Sequence, residues 1–217
     1  MSKTIAPLLS FGAGGQLAKT AVYSSWKGIP YVRRYVIPAN PRTNAQQATR
    51  LLFKKLQQMW LLMPGDGKAP WLLNAQGRPY TGNNKFTSSN IKGLDTSSPP
   101  TDMDFFIGSP GALGGLPPAS LVITPGSGQL SAAVGAPQLP TGWSITQAVG
   151  IAFKDQDPQV DFNGTIQAQT DASSPYTLVF TGLTAAQDYV VSAWFEWERP
   201  DGKVAYSTSL TNTGTPS

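Results

Sequence analysis

Residues 182–210 read GLTAAQDYVVSAWFEWERPDGKVAYSTSL, and their pattern decides the fold class. Tyr189, Val191, Ala193, Phe195 and Trp197 recur at every second position, so an extended strand places them on one side and Trp194 on the other. Arg199-Pro200-Asp201-Gly202-Lys203 has Asp-Gly at its centre, a turn that lets KVAYSTSL fold back as a partner strand. Upstream, SLVITP, WSITQAVGIAF, GTIQAQT and YTLVFTGL are further short strand candidates separated by turn signals, with Tyr176, Leu178 and Phe180 alternating inward. This spacing predicts a β-sandwich over residues 120–217. Trp194 then points away from the sandwich core and is expected at the surface, where it is a candidate contact for a glycan.

Within the same stretch, Leu183 stands six residues before Tyr189, at the start of the penultimate strand. This resembles the Leu…Tyr corner of fibronectin type III and related immunoglobulin-like modules, in which the tyrosine hydroxyl bonds the backbone of the preceding turn. Ala185 stands where those modules usually carry Pro. The resemblance covers about the last 100 residues.

Residues 1–95 read differently, as an α+β module. TAVYSSW and IPYVRRYVI are rich in β-branched and aromatic residues, and Lys27-Gly28 between them is a two-residue turn, which predicts a β-hairpin within 15–37. Alternation sends Arg33 and Arg34 to opposite faces. Residues 43–63 predict a helix: Thr43 caps it, Gln46 completes a capping box, and Ala45, Ala48, Leu52, Leu56, Met59 and Met63 form its apolar stripe. Pro64-Gly65 ends it, and shorter helices are expected near 69–76 and 81–93. Residues 96–119 are dense in Pro and Gly and read as a linker or arm. The run MDFFI inside it gives two readings: Phe105, Phe106 and Ile107 pack back on a domain, or the arm docks on a neighbouring subunit.

Charge divides the chain in the same way. Residues 1–65 hold nine Lys and Arg and no acid, whereas the remainder holds seven bases and twelve acids. Charged residues are only 13 % of the chain, about half the usual share. Such asymmetry points to modules with different neighbours. No apolar run is long enough to span a membrane as a helix. The first residues, MSKTIAPLLSFGAGG, lack the apolar core and cleavage site of a secretory signal, so export by that route is not expected.

The chain has no Cys and no His. This removes serine–histidine triads, cysteine nucleophiles, thiolate zinc sites and histidine bases, and no enzymatic activity or cofactor is expected. Glu196 and Glu198 share a strand face, but with Arg199 and Lys203 close by they read as a solvated charge cluster rather than a glycosidase pair. Asp155, Asp157 and Asp161 begin like a calcium loop, yet Pro158 intervenes and no Glu closes it, which favours a turn-forming acidic loop. Asn163-Gly164-Thr165 matches a glycosylation sequon by chance. Gly12–Gly15 lacks the Lys of a phosphate loop.

The basic block remains the candidate for binding: Trp26, Lys27, Arg33, Arg34, Arg42 and Arg50. It admits contact with an acidic protein surface, contact with a phosphate backbone, or a merely solvated face. The string SSWKGIPYVR, with NPRT and NAQQATR after it, resembles a poorly characterised family of tailed bacteriophages and prophages over about residues 10–95; Arg50 and Phe53 fit its Arg/Phe pair. The resemblance implies a phage particle protein and no particular chemistry. The expectation is a virion structural protein, a capsid decoration or a neck or tail accessory, that docks many copies or a homo-oligomer onto other virion proteins and displays a sandwich. Two alternatives stand beside it: a glycan-binding adhesion module, and an internal virion protein that contacts DNA.

Overall fold

The computed structural model describes residues 2–3, 14–37, 39–40, 42–94, 106–156 and 162–217. The fold is mixed, with three helices and several antiparallel sheets, and is mostly β. The chain forms two compact units, Met1–Arg42 and Thr43–Ser217. The division expected at residues 95 and 120 therefore gives way to one at 42/43. The helices belong with the sheets that follow them.

The first unit is a four-stranded antiparallel sheet. Its strands are β1 (Ser2–Lys3), β2 (Gly15–Leu17), β3 (Ala21–Trp26) and β4 (Ile29–Arg34), in the order β1-β4-β3-β2. The β3–β4 hairpin is the one expected from the sequence. Lys27 and Gly28 both have positive φ, 50° and 77°, as the tight turn that matches strand twist requires.

The second unit opens with α1 (Asn44–Leu62), α2 (Gly65–Ala75) and α3 (Gly82–Leu94). Thr43 caps α1 by accepting from the Gln46 amide, and Thr81 caps α3 by accepting from the Asn84 amide at 3.2 Å. Helix α1 stops at Met63, whose ψ of 129° reflects the steric bar on helical backbone before a proline. Its stripe buries Leu52, Leu56, Met59 and Met63. Helix α2 begins four residues earlier than its sequence pattern suggests. There Gly67 lies so close to the sheet that a Cβ would sit 2.7 Å from Met63 Cγ and 3.3 Å from Ile151 Cγ2.

The strands that follow are β5 (Pro110–Ala112), β6 (Ser120–Gly126), β7 (Gln129–Gly135), β8 (Ser144–Lys154), β9 (Gln167–Asp171), β10 (Thr177–Thr181), β11 (Tyr189–Glu198), β12 (Val204–Thr208) and β13 (Leu210–Gly214). One sheet has the order β10-β7-β6. The other runs β5-β12-β11-β8-β9, with β13 beside the first half of β11 and β12 beside its second half. Strand β7, QLSAAVG, escaped the sequence reading because small residues carry little strand preference.

The larger sheet lies between two apolar layers. Leu130, Ala132, Val134, Leu178 and Phe180 of the smaller sheet pack with Ala148, Ala152, Val191, Ala193, Phe195 and Trp197. The helices cover the opposite face, where Leu52, Leu56, Met59, Trp71 and Phe86 pack with Val149, Ile151, Phe153, Val190 and Trp194. Covering both faces explains why β8 and β11 read as nearly continuous apolar runs instead of the in–out alternation of a one-sided sheet.

Residues 106–112 of the presumed linker are stitched into this arrangement. Trp71 Nε1 donates to Gly108 O at 2.8 Å. Asn90, fully buried, accepts from the Ile107 amide at 2.8 Å and donates to the Ile107 carbonyl at 3.2 Å. Asn74 Nδ2 donates to Gly111 O at 2.7 Å, and Thr211 Oγ1 donates to Phe106 O at 2.6 Å. Strand β5 then pairs with β12.

Candidate docking surface

In the β3–β4 hairpin the register pairs Val22 with Arg33, Ser24 with Tyr31 and Trp26 with Ile29; the other face pairs Ala21 with Arg34 and Tyr23 with Val32. Arg33 and Arg34 thus take opposite faces, as alternation requires, and both are exposed. Trp26 is 67 % exposed, and the Lys27 ammonium lies 5.0 Å from the centre of its ring. No described residue between 14 and 37 is buried. The stretch presents Trp26, Ile29, Val36 and Ile37 to solvent beside the exposed Lys27, Arg33 and Arg34.

The other candidate residues do not all join this surface. Arg42 ends the same unit with a φ of 49°. Arg50 is exposed on α1 of the other unit. Phe105 lies outside the described residues. Phe106 is 2 % exposed, its ring 4.8 Å from that of Phe153 and 5.9 Å from that of Phe86. This corrects its assignment to partner docking and bears out the reading in which it packs back on its own domain.

Trp194 is also corrected. It is completely buried, because the face of β11 turned away from the smaller sheet lies under the helices and the 106–109 segment. A Cβ on Gly108 would sit 2.9 Å from its ring. It offers no surface to a glycan. A partly exposed aromatic on the same unit is Trp143, half-buried, with the Arg199 guanidinium 5.7 Å from the centre of its ring and the Trp197 ring 6.1 Å away.

The expected charge cluster at the end of β11 divides in two. Arg199 and Lys203 pair with Asp201 inside their own turn, at 3.4 and 3.9 Å. Glu196, half-buried, accepts from Gln147 Nε2 at 3.1 Å and interacts with Tyr206, its cross-strand neighbour. Burial, then the Glu196 charge and hydrogen bond, then the Asp66 charge, push the Tyr206 phenol up to about 12. Asp171 is held below the usual carboxylate range, chiefly by the Thr177 amide and next by the Ser173 amide; it closes the loop from β9 to β10.

Of the acidic loop, Asp157 and Asp161 lie outside the described residues. Among the described residues, no three potential metal ligands cluster, and no helix is long and apolar enough to cross a membrane.

No family model matches the chain, and no curated protein does. Of the solved structures that match, one described as "Myokine structure" is 10 % identical, with a TM-score of 0.34, and the match covers 48 % of this chain and all of that one.

Proposed function

We propose that this chain is a bacteriophage virion structural protein, a capsid decoration or a neck or tail accessory, held in many copies by its basic N-terminal sheet. The observation that carries this reading is that sheet: none of its described residues between 14 and 37 is buried, and Trp26, Lys27, Arg33 and Arg34 are exposed. A surface of that kind is stabilised by a partner, and its single-signed charge suits an acidic protein lattice. The resemblance of SSWKGIPYVR…NPRT to a phage family supports the context.

The rest of the chain is read as a fibronectin type III-like sandwich with helices added to one side. The Thr184 amide donates to the Tyr189 hydroxyl at 3.0 Å, the bond that the Leu…Tyr corner calls for. The pairing of a β6-β7-β10 sheet with a β9-β8-β11-β13 sheet supports the same class. The function is structural, without catalysis or cofactor, and the chain resides in the particle.

Mass spectrometry of purified, nuclease-treated particles tests this reading. The expected result is the chain at a fixed copy number, reduced by the double substitution Arg33→Ala with Arg34→Ala. Absence from particles would exclude it. Binding of the isolated protein to DNA with steep salt dependence, about one log–log unit per phosphate contact, would favour an internal DNA-contacting role instead.

A further inference from the structure

One end of the sandwich holds a pocket of about 220 Å³ lined by Lys154, Thr165, Gln167, Thr184 and Tyr189, with backbone from Gly164 and Gly182. Its construction follows from register. Lys154 is the last residue of β8 and lies opposite Tyr189 of β11, so the two share the face that looks toward the smaller sheet. That face is apolar along the rest of β8, through Ala148 and Ala152. An inward position at the mouth of a sandwich therefore carries a half-buried cation.

The pocket offers hydroxyl donors and one positive charge. Tyr189 accepts from the Thr184 amide, which leaves its own O–H free to donate. Gln167 Nε2 is committed to Thr181 O at 2.9 Å. Among the described residues, the Lys154 ammonium and the Thr165 and Thr184 hydroxyls have no hydrogen-bond or ion-pair partner, and no carboxylate lines the pocket. A concave site with one partly desolvated cation and three available hydroxyl donors complements an oxyanion.

We propose that this pocket binds a compact oxyanion, a carboxylate or sulfate, with Lys154 as counter-charge and the hydroxyls of Tyr189, Thr165 and Thr184 as donors. The group is either free in solution or carried on an acidic sugar, since the volume admits both.

Amide chemical-shift titrations of the full chain, at constant ionic strength with chloride as the balancing anion, test the proposal. The probes are sodium sulfate, sodium glucuronate and glucose. Saturable shifts centred on Lys154, Thr165 and Thr184 are expected with at least one of the two anions and not with glucose. Tighter binding of glucuronate assigns the site to a sugar acid, and tighter binding of sulfate to the free ion. Lys154→Gln is expected to weaken binding about tenfold, as loss of one charge-assisted bond does, and Lys203→Gln to leave it unchanged. If Lys154→Gln does not fold, Thr165→Val, at an exposed loop position, gives a loss of roughly threefold. Absence of saturation with either anion, equal response to glucose, or full binding by Lys154→Gln or, in its place, Thr165→Val overturns the assignment.

Discussion

Trp71 on α2 donates its indole N–H to the carbonyl of Gly108, 37 residues on, across 2.8 Å of fully buried space. The bond joins the helical layer to the segment that crosses beneath it onto the sheet. Removing the donor while keeping the ring, as in Trp71→Phe, leaves a buried carbonyl unsatisfied and costs about 1–3 kcal/mol. Trp71→Ala also opens a cavity and costs about 3–5 kcal/mol. Urea unfolding followed by far-ultraviolet circular dichroism and by tryptophan fluorescence checks both values. The two signals should move together, because the helices and the larger sheet share one apolar layer.

Trp194 supplies a second test of that shared core. Trp194→Ala is expected to destabilise the protein by about 3–5 kcal/mol, and its thermal midpoint falls accordingly. An exposed side chain would change stability by less than about 0.5 kcal/mol. The size of the shift therefore separates a buried tryptophan from a surface contact.

The bond between the Thr184 amide and the Tyr189 hydroxyl is expected to act locally. Tyr189→Phe removes the acceptor for the Thr184 amide and keeps the ring packed. It should cost about 1 kcal/mol, read as a shift in denaturation midpoint with an unchanged slope.

Gly150 tests the contact between the two sheets. A Cβ there would sit 2.5 Å from Leu178 Cδ1 and 3.4 Å from Phe180 Cζ. Gly150→Ala is expected to destabilise by about 1–3 kcal/mol through overpacking, and Gly150→Ala combined with Leu178→Ala should cost less than the sum of the two single changes.

Tyr206 gives a pH signature. Its folded pKa of about 12 lies above the ordinary 10.0, so the folded state holds the proton that the unfolded state loses first. The stabilisation is complete below about pH 10 and is lost as pH rises from there toward 12. Stability measured across that window should fall less steeply for Tyr206→Phe than for the native chain.

Much of this architecture was legible along the chain. Thr43 and Pro64 bounded α1 because capping and proline sterics are local. Lys27-Gly28 located the hairpin for the same reason. The alternation of Tyr189, Val191, Ala193, Phe195 and Trp197 correctly assigned one face of β11, since strand parity follows from backbone geometry alone. Less was legible for the pocket at the sandwich end. Lys154, Thr165 and Tyr189 come from separate elements, and the only hint was a lysine closing an apolar strand.

Sequence by itself determined the identity of the helices, most of the strands, the charge of the N-terminal sheet and the side of β11 on which each residue stands. Tertiary structure alone decided what each side meets. Trp194 was placed opposite the sandwich core by parity, but parity does not say whether that second side faces water or helices. Phe106 likewise sits in a Pro- and Gly-rich run whose local chemistry favours extended backbone. Its burial is set by Trp71, Asn90 and Thr211, which are remote in sequence and come together only when the three layers close.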